Sequence, residues 1–261
     1  MKKYIADWTV KENRLFKGNE YCLLKLGLEE KIPEMLPGQF VQVRIDDSPT
    51  TFLRRPISIH YVDRSKNELW LLIQVIGDGT RKLSELKKGD ILNLIYPLGN
   101  SFSLPEKSDK IGKFLLIGGG VGIAPFLYLG ACLRERGYKP EFLLGIKTEE
   151  DVLQINEFRK FGNFHIATED GSAGEKGLVT DHSILRSTDW DFIYTCGPKP
   201  MMMAVAKYAR EEGISCEVSL ENMMACGIGA CLCCVEKTVR GNVCVCTEGP
   251  VMNIDQLTWQ I

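Results

Sequence analysis

Short apolar segments bounded by turn-forming residues run through the first part of the chain. They are rich in β-branched and aromatic residues, and Gly, Pro and Asp separate one from the next, as is typical of strands. The clearest are Gln39–Ile45, Pro56–Val62, Glu68–Ile76 and Asp90–Tyr96. This pattern predicts an antiparallel β-barrel or sandwich over residues 1–104.

From about Lys113 onward, apolar strands alternate with segments of helical periodicity. The predicted strands are "KFLLI", "EFLLGI", "NFHIAT" and "WDFIYTCGP". The predicted helices are about 124–136, "EEDVLQINEFRK", a segment beginning at the Asp181 cap, and "KPMMMAVAKYAREEG". The alternation predicts an α/β domain with a doubly wound parallel sheet over residues 105–214. A cysteine-rich segment, 215–261, follows as a third small domain.

One uncharged run, Phe114–Leu133, is long enough to span a bilayer. Its interior contains helix-weakening residues, namely Gly118, Gly119, Gly120, Gly122, Pro125 and Gly130. This composition favours a buried strand, a glycine turn and a buried helix over a membrane helix. We therefore expect no association with a membrane.

Composition narrows the class of protein further. The chain has 261 residues, 44% hydrophobic and 25% charged, with a net charge of -2, as is ordinary for a soluble protein of two or three domains. This charge does not favour nucleic acid as a partner. The N-terminal segment lacks the apolar core of a signal peptide, so we expect a cytoplasmic protein. Its 10 cysteines are then expected as metal ligands, catalytic groups or buried thiols rather than disulfides.

The glycine turn "GGGVGIAP" follows a strand and opens a helix, so its backbone amides can face a phosphate. It departs from G-x-G-x-x-G because Pro125 takes the last glycine position, and Lys147 follows the second strand where an acid is usual. The alternative is that these glycines only allow the helix to pack closely on the sheet.

A cluster of cysteines lies near the C-terminus. The spacing C-x4-C-x2-C, with one more cysteine further on, is that of plant-type [2Fe–2S] proteins. The ligands predicted from it are Cys226, Cys231, Cys234 and Cys246. Gly227 and Gly229 let backbone amides turn towards the cluster sulfurs.

Zinc is the alternative metal, since thiolates also bind it, but its second ligand pair would have to be Cys244 and Cys246. Cys244 competes with Cys246 as fourth ligand because it lies one strand step away on the same face. Cys233 is expected to point away from the site. Three further cysteines are interpreted as buried small hydrophobic residues, Cys22, Cys132 and Cys216.

Motifs in the chain resemble those of the ferredoxin-NADP reductase superfamily, in the same order. They are "RPIS" (an R-x-x-S element, 55–58), "GDGT" (77–80), "GGGVGIAP" (118–125) and "CGPKPMM" (196–202). Without this resemblance, the arginine, the serine and the CGP turn would be interpreted as ordinary structural residues. The similarity covers about residues 1–215.

The resemblance implies sites for FAD and for a nicotinamide dinucleotide. The implied FAD residues are Arg55, Pro56, Ile57, Ser58, Leu72, Ile73, Gln74, Gly79 and Thr80. The implied nucleotide residues are Gly119, Gly120, Gly122, Pro125, Glu169, Asp170, Cys196, Gly197 and Pro198. From the residues alone, Cys196 is either a redox nucleophile or a small packing residue. In this family the cysteine of the CGP motif shapes the site of hydride transfer, which argues against covalent chemistry. Glu169 and Asp170 would repel a 2′-phosphate, which favours NAD over NADP. The alternative interpretation is that both are solvated acids of a turn.

The C-terminal stretch, from "SLENMMACGIGACLCC" to "CTEGPVM", resembles electron-transfer subunits of NAD-dependent (type B) dihydroorotate dehydrogenase. This resemblance extends over the whole chain and selects Cys246, since "TEGPV" follows it. Met252 departs from the family, where an aromatic is common. The implied roles are a [2Fe–2S] domain over 215–261, with FAD over 1–104 and NAD over 105–214.

The resemblance also implies a partner, an FMN-containing subunit that oxidises dihydroorotate, in a heterotetramer with two copies of each chain. Electrons would pass between that subunit and NAD+ through the [2Fe–2S] cluster and FAD, in pyrimidine biosynthesis. This chain itself would carry no catalytic residue for dihydroorotate. The alternatives are a subunit of a ferredoxin–NAD(P) transhydrogenase, sulfide dehydrogenase or sulfhydrogenase, and a zinc-stapled nucleotide-binding regulator.

Overall fold

The computed structural model of the chain describes residues 2–106, 112–186 and 189–260. The chain folds into two compact units. Unit 1 comprises Met1–Ser101, Asn222–Glu236 and Val243–Pro250, and unit 2 comprises Phe102–Glu221, Lys237–Asn242 and Val251–Ile261. Each unit therefore combines one long segment of the chain with short pieces from near the C-terminus.

The long segment of unit 1 forms a 7-stranded antiparallel sheet and, among its described residues, one short α-helix. The strands are β1 (Tyr4–Phe16), β2 (Tyr21–Gly27), β3 (Phe40–Val43), β4 (Arg55–Ser58), β5 (Tyr61–Asp63), β6 (Glu68–Gln74) and β7 (Ile91–Leu98), and the helix is α1 (Asp78–Ser84). In space they run β4-β3-β7-β1-β2-β6-β5. Trp8, Leu24 and Leu94 are fully buried in this unit.

The sheet curls until its two edges meet. The edge strands β4 and β5 are joined only by Ile59 and His60, and so short a connection cannot cross an open sheet of this width. Ile59 N–H donates to Gln39 O beside β3, and His60 N–H donates to Trp70 O in β6. The predicted antiparallel β domain is confirmed as a curled sheet.

Two strands at the N-terminus were not among the predicted elements. β1 has mixed burial, with Trp8 and Val10 buried among half-buried and exposed residues, and β2 is almost wholly buried. A three-residue 3₁₀ turn, Lys17–Asn19, joins them, with positive φ at each position. The predicted single strand Pro56–Val62 is wrong in one respect, because the chain leaves one sheet edge and joins the other within it.

Unit 2 is built on a sheet whose strands are mainly parallel. The strands are β8 (Phe114–Gly119), β9 (Glu141–Ile146), β10 (Asn163–Thr168), β11 (Glu175–Lys176), β12 (Phe192–Cys196) and β13 (Ser215–Ser219), and the helices are α2 (Phe126–Glu135), α3 (Ile155–Phe158) and α4 (Lys199–Glu211). Their order, β11-β10-β9-β8-β12-β13, reverses direction at β8. The predicted α/β sheet is confirmed, and ligands of such sheets bind at the carboxyl ends of the strands where the order reverses.

The C-terminal segment contributes to both units. Its elements are β14 (Val235–Thr238), β15 (Gly241–Cys244), α5 (Val245–Glu248) and β16 (Val251–Asn253). β14 pairs with β15, and β16 adds antiparallel to β13 at the edge of the second sheet. The division of the chain into 1–104, 105–214 and 215–261 by cofactor stays a prediction.

The uncharged run Phe114–Leu133 folds as its glycines predict. It forms β8, a 3₁₀ turn over Gly120–Ile123, and most of α2. Among the described residues, no helix combines the length and hydropathy needed to cross a membrane.

Two helix predictions were wrong. "EEDVLQINEFRK" forms a 3₁₀ turn, Glu149–Asp151, and the short α3, because Gln154 adopts a left-handed conformation with φ 54° between them. The segment from Asp181 forms two 3₁₀ turns rather than an α-helix. His182 separates them with an extended ψ of 135°, and its side chain accepts the Ile184 N–H at 3.1 Å.

We expect the unfolding temperature to drop as the pH falls below about 6.5, the ordinary pKa of histidine. Burial lowers the pKa of His182, with Glu175 opposing and His165 adding to this effect. The unfolded chain therefore takes up a proton at higher pH than the folded protein, and the stability contributed by neutral His182 is lost on acidification. Thermal unfolding between pH 8 and pH 5 measures it.

In the variant His182→Gln, the unfolding temperature should fall less on acidification than in the wild-type protein. Arg64→Gln, at an exposed position, is the control and should retain the wild-type pH dependence. Parallel pH curves for His182→Gln and wild type would contradict the assignment.

Candidate functional site

The structure brings two of the predicted flavin motifs together in unit 1. Arg55 begins β4, and a Cβ atom at Gly79 would lie 2.9 Å from Arg55 Nε. The arginine can therefore lie against α1 only because position 79 has no side chain. Arg55 Nη1 also donates to Leu53 O at 2.8 Å, which restrains the guanidinium beside this turn.

Thr80 stabilises the same turn. Its Oγ1 accepts the N–H groups of Ile76 and Gly77 at 3.0 and 3.1 Å and donates to Gly77 O. The hydroxyl is thus used within the turn. The backbone amides of the first helical turn, which have no intrahelical acceptor, remain the groups suited to an anion.

The other predicted flavin residues lie on two strands in contact, β4 and β6. Pro56, Ile57 and Ser58 are half-buried and pair with β3. Leu72 and Ile73 are buried at the end of β6. Beside them, Gln74 is half-buried and donates to the Tyr21 hydroxyl at 3.4 Å. All the predicted flavin segments therefore belong to one unit.

In unit 2, the glycine turn lies where the strand order reverses. Gly119 ends β8, Gly120 and Gly122 lie in the following 3₁₀ turn, and Pro125 precedes α2. Gly120 has φ 54°, a conformation that glycine adopts readily. The turn thus occupies the carboxyl end of a central strand, as the phosphate-binding interpretation requires.

The CGP motif packs directly on this glycine turn. A Cβ at Gly122 would lie 2.4 Å from Cys196 O and 2.6 Å from Gly197 Cα, so any side chain there would collide with backbone. A Cβ at Gly119 would lie 2.8 Å from Pro198 Cδ. Strands β8 and β12 are neighbours, which places both motifs at the same edge of the sheet.

Cys196 is buried, with 2% of its surface exposed. Burial raises the pKa of this thiol well above its ordinary value, and the nearby Glu221 carboxylate, with Oε1 3.8 Å from Sγ, adds to the effect. A neutral buried thiol is a poor nucleophile, so its position suits shaping a pocket better than covalent chemistry.

Glu169 and Asp170 follow β10, two strands away from β8. Both are exposed. Asp170 Oδ1 accepts hydrogen bonds from the Ser172 amide and hydroxyl at 2.9 and 2.6 Å, and these bonds lower the pKa of Asp170. Part of this carboxylate is thus used by its own turn.

The predicted cluster ligands are held in unit 1 by backbone donors. Cys226 Sγ accepts from the amides of Ile228 and Ala230 at 3.5 and 3.3 Å. The Ile228 bond, with others from Cys231 and Ala230, lowers the pKa of Cys226 to about 6. These amides are arranged to stabilise a thiolate.

The second half of the cluster site is more buried. Cys246 Sγ accepts the Gly229 amide at 3.2 Å, and Cys246 N–H donates to Cys234 Sγ at 3.4 Å. Burial raises the pKa of Cys246 to about 12. Binding of a metal centre must therefore displace a proton from this thiol.

The thiols are grouped as two pairs. Cys231 lies beside Cys226, and Cys246 lies beside Cys234, whose sulfur accepts the Cys246 N–H. In the parts of the chain that the structure describes, no three His, Cys, Asp or Glu side chains converge on a position for a single ion. Four thiolates are the ligand set of a [2Fe–2S] centre.

The two cysteines that compete with the predicted cluster ligands, Cys233 and Cys244, differ in exposure. Cys233 is exposed and Cys244 is half-buried at the end of β15. Partial burial, together with the charges of Cys234 and Glu248, raises the pKa of Cys244, so this thiol also lies near the ligand pairs. The cysteines expected to be buried are all buried, namely Cys22, Cys132 and Cys216.

Two side chains beside these motifs were not predicted. Gln42 is fully buried in β3 and touches the cluster loop at Gly227, and Glu221 lies beside Cys196. A polar residue inside the apolar strand "QFVQVRI" is a signal that sequence reasoning could have used. Glu221 offers no comparable signal. Met252, the departure from the family pattern, is buried on β16.

Models of protein families match two regions of the chain. An iron–sulfur cluster binding domain of dihydroorotate dehydrogenase B matches residues 221–258, which include all the predicted ligands. An oxidoreductase NAD-binding domain matches residues 116–207, which include both the glycine turn and the CGP motif.

Solved structures share the fold. One, from work on flavin-based electron bifurcation by NADH-dependent reduced ferredoxin-NADP oxidoreductase, is similar with a TM-score of 0.84 and 29% identity, covering 97% of this chain and 90% of that chain. The flavohem-like FAD/NAD-binding domain of nitric oxide dioxygenase from Vibrio cholerae has a TM-score of 0.69 at 18% identity, covering 81% and 97%. The FAD/NAD reductase fold is thereby confirmed.

Curated relatives match over most of their length. The electron transfer subunit of dihydroorotate dehydrogenase B (NAD(+)) from Shouchella clausii is 40% identical over 225 residues, 85% of this chain and 86% of that protein. The subunit of the same name from Fusobacterium nucleatum is 38% identical over 255 residues, 95% and 96%. The chain therefore belongs to the family of electron transfer subunits of dihydroorotate dehydrogenase B (NAD(+)).

Proposed function

We propose that this protein passes electrons between a catalytic partner subunit and NAD+ through a [2Fe–2S] cluster and FAD. The partner is an FMN-containing subunit that oxidises dihydroorotate in pyrimidine biosynthesis, and the assembly is a heterotetramer with two copies of each chain. The observation that carries the proposal is the set of backbone N–H groups that donate to the sulfurs of the predicted ligands Cys226, Cys234 and Cys246. They belong to the unit that also holds the flavin motifs.

The role of each cofactor follows from the number of electrons that it exchanges at a time. A nicotinamide exchanges two electrons as hydride, a [2Fe–2S] cluster exchanges one at a time, and a flavin bound between them supplies both kinds of exchange. The chain itself supplies binding, orientation and electrostatics.

In unit 1, Arg55 would hold the FAD diphosphate through its guanidinium, together with the amides of Gly79 and Thr80. Ser58 lies at the other end of β4 and donates a hydrogen bond near the flavin N5. Leu72, Ile73 and Gln74 line the flavin from β6. The contacts of Arg55 with Gly79, and of β4 with β6, support this assignment.

Cys226, Cys231, Cys234 and Cys246 hold the cluster as thiolates. The amides of Ile228, Gly229 and Ala230 already point at ligand sulfurs. These donors are all backbone groups of one loop. They stabilise the added negative charge when the cluster is reduced.

In unit 2, Gly119, Gly120, Gly122 and Pro125 form the pyrophosphate turn for NAD. Cys196, Gly197 and Pro198 shape the nicotinamide end of that site. The contact between Gly122 and the backbone of Cys196 and Gly197 supports this assignment.

Glu169 and Asp170 give the preference for NAD over NADP by repelling a 2′-phosphate. Since Oδ1 of Asp170 already accepts two hydrogen bonds from Ser172, we expect Glu169 to contribute more to this preference.

The absorption spectrum of the purified protein tests the proposal. We expect flavin bands with a broad visible iron–sulfur shoulder, both bleached by NADH faster than by NADPH at equal concentration. With the FMN-containing partner co-expressed, dihydroorotate should reduce NAD+. A colourless preparation containing zinc would contradict the redox function.

The similarity to the NADH-dependent reduced ferredoxin-NADP oxidoreductase favours one second candidate, a subunit of a ferredoxin–NAD(P) transhydrogenase. The same preparation distinguishes the two. Reduced ferredoxin reducing NAD(P)+ in an assembly that does not respond to dihydroorotate would select the second candidate.

A further inference from the structure

Gln42 is a polar residue inside the curled sheet of unit 1. It is 0% exposed. Among the described residues, neither Nε2 nor Oε1 of its side chain has a hydrogen-bond partner. A buried amide without partners is unfavourable, and such groups are rare unless a ligand, ion or water completes them.

Another buried amide of the same unit shows the contrast. Gln39 is 1% exposed, but its Oε1 accepts the Leu36 amide at 2.8 Å and its Nε2 donates to Gly99 O at 3.2 Å. The sheet therefore does pair buried amides elsewhere. Trp8 Nε1 and Asn13 Oδ1 are also buried without a partner in this unit, but among its described buried side chains only Gln42 has both of its polar atoms unpaired.

The group that faces Gln42 is the cysteine loop. A Cβ at Gly227 would lie 2.6 Å from Gln42 Cγ and 2.8 Å from Nε2, so the amide nitrogen lies against the backbone next to Cys226. Gly227 has φ 70°, and a side chain there would fill the space that the amide occupies.

We propose that Gln42 is a hydrogen-bond donor to the [2Fe–2S] cluster, through Nε2 to a cluster sulfur, and that it raises the reduction potential. The inference deepens the proposed function and rests on it. Cluster sulfurs accept hydrogen bonds, and a donor favours the reduced cluster because reduction adds negative charge. The loop amides of Ile228, Gly229 and Ala230 act from the cysteine loop, whereas Gln42 would act from the sheet.

Selective labelling tests the contact directly. The protein with [15N]-labelled glutamine side-chain amides is reduced until the cluster is paramagnetic and examined by pulsed electron paramagnetic resonance. We expect a 15N coupling to the cluster in the wild-type protein and its loss in Gln42→Met, which keeps an unbranched side chain without donors. No 15N coupling in the wild-type protein, or a coupling that persists in Gln42→Met, would overturn the inference.

A redox titration provides the second measurement. We expect a lower cluster midpoint potential in Gln42→Met, with the flavin potential unchanged. Gln39→Met is the matched control: it loses two hydrogen bonds within the protein and should unfold at lower temperature, with the cluster potential of the wild type. If Gln42→Met does not fold, Gln42→Leu replaces it, and the labelled wild-type protein still decides the contact.

The outcomes also separate this inference from the proposed function. A protein without a [2Fe–2S] signal would contradict the proposed function itself. A normal cluster signal without a glutamine coupling would overturn only the role of Gln42. A change in flavin potential alone would show that the amide faces the flavin, which would also overturn it.

Discussion

Cys246→Ser is expected to remove nearly all of the [2Fe–2S] absorbance and paramagnetic signal, whereas Cys244→Ser leaves both in place. Cys246 is 1% exposed, its sulfur accepts the Gly229 amide, and its backbone N–H donates to Cys234 Sγ. Serine keeps the size of the residue but provides a far weaker ligand than a thiolate for iron. Iron and sulfide content, visible absorption and electron paramagnetic resonance measure the loss.

Cys233→Ser, at an exposed position, is the control and should keep the wild-type cluster content. FAD content should stay the same in all three variants, because the proposed flavin residues are on different segments. Loss of the cluster in Cys244→Ser together with its retention in Cys246→Ser would show that the fourth ligand is wrongly assigned.

Gly122→Ala is expected to slow the reduction of bound flavin by NADH about tenfold or more, since small displacements of reacting groups have effects of this size. The added methyl group would lie 2.4 Å from Cys196 O and 2.6 Å from Gly197 Cα, so the glycine turn or the CGP turn must move. Overpacking of this kind also lowers the free energy of unfolding by about 1–3 kcal/mol. Stopped-flow absorbance and thermal unfolding measure the two effects.

Gly120→Ala is the matched control in the same turn. A Cβ at position 120 meets nothing within 4 Å, and the only penalty is the left-handed conformation with φ 54°. This variant should lose about 1–2 kcal/mol of stability and keep more of the NADH-dependent rate than Gly122→Ala. Equal rates in Gly122→Ala and the wild-type protein would contradict a nucleotide site at this turn.

Periodicity predicted the α/β sheet better than the curled antiparallel sheet. Strands such as β8 and β9 are nearly continuous apolar runs, because parallel strands are buried on both faces. β1 has mixed burial along its length, so it gives a weaker apolar pattern by itself. Its burial depends on pairing with β2 and β7, which a local pattern does not contain.

The hydrophobic pattern of the sequence also does not predict the backbone conformations that interrupt a helix. The left-handed Gln154 and the extended His182 each occur within segments of helical composition. These backbone conformations depend on where neighbouring side chains are buried. One such side chain is Phe158 in α3, which packs against the rings of Phe142 and Phe164. Tertiary packing overrides propensity at such positions.

The sequence by itself determined the chemistry of this protein. Its chemical motifs are the cysteine spacing, the GDGT and GGGVGIAP turns, the R-x-x-S element and the CGP motif. These are short segments, and their residue types and spacing can be recognised without a fold. Tertiary structure decided which of them meet. Arg55 against Gly79, Gly122 against Cys196, and Gln42 against Gly227 are contacts between distant segments. Strand pairing and packing create such contacts, so only the folded chain shows which side chains share a site.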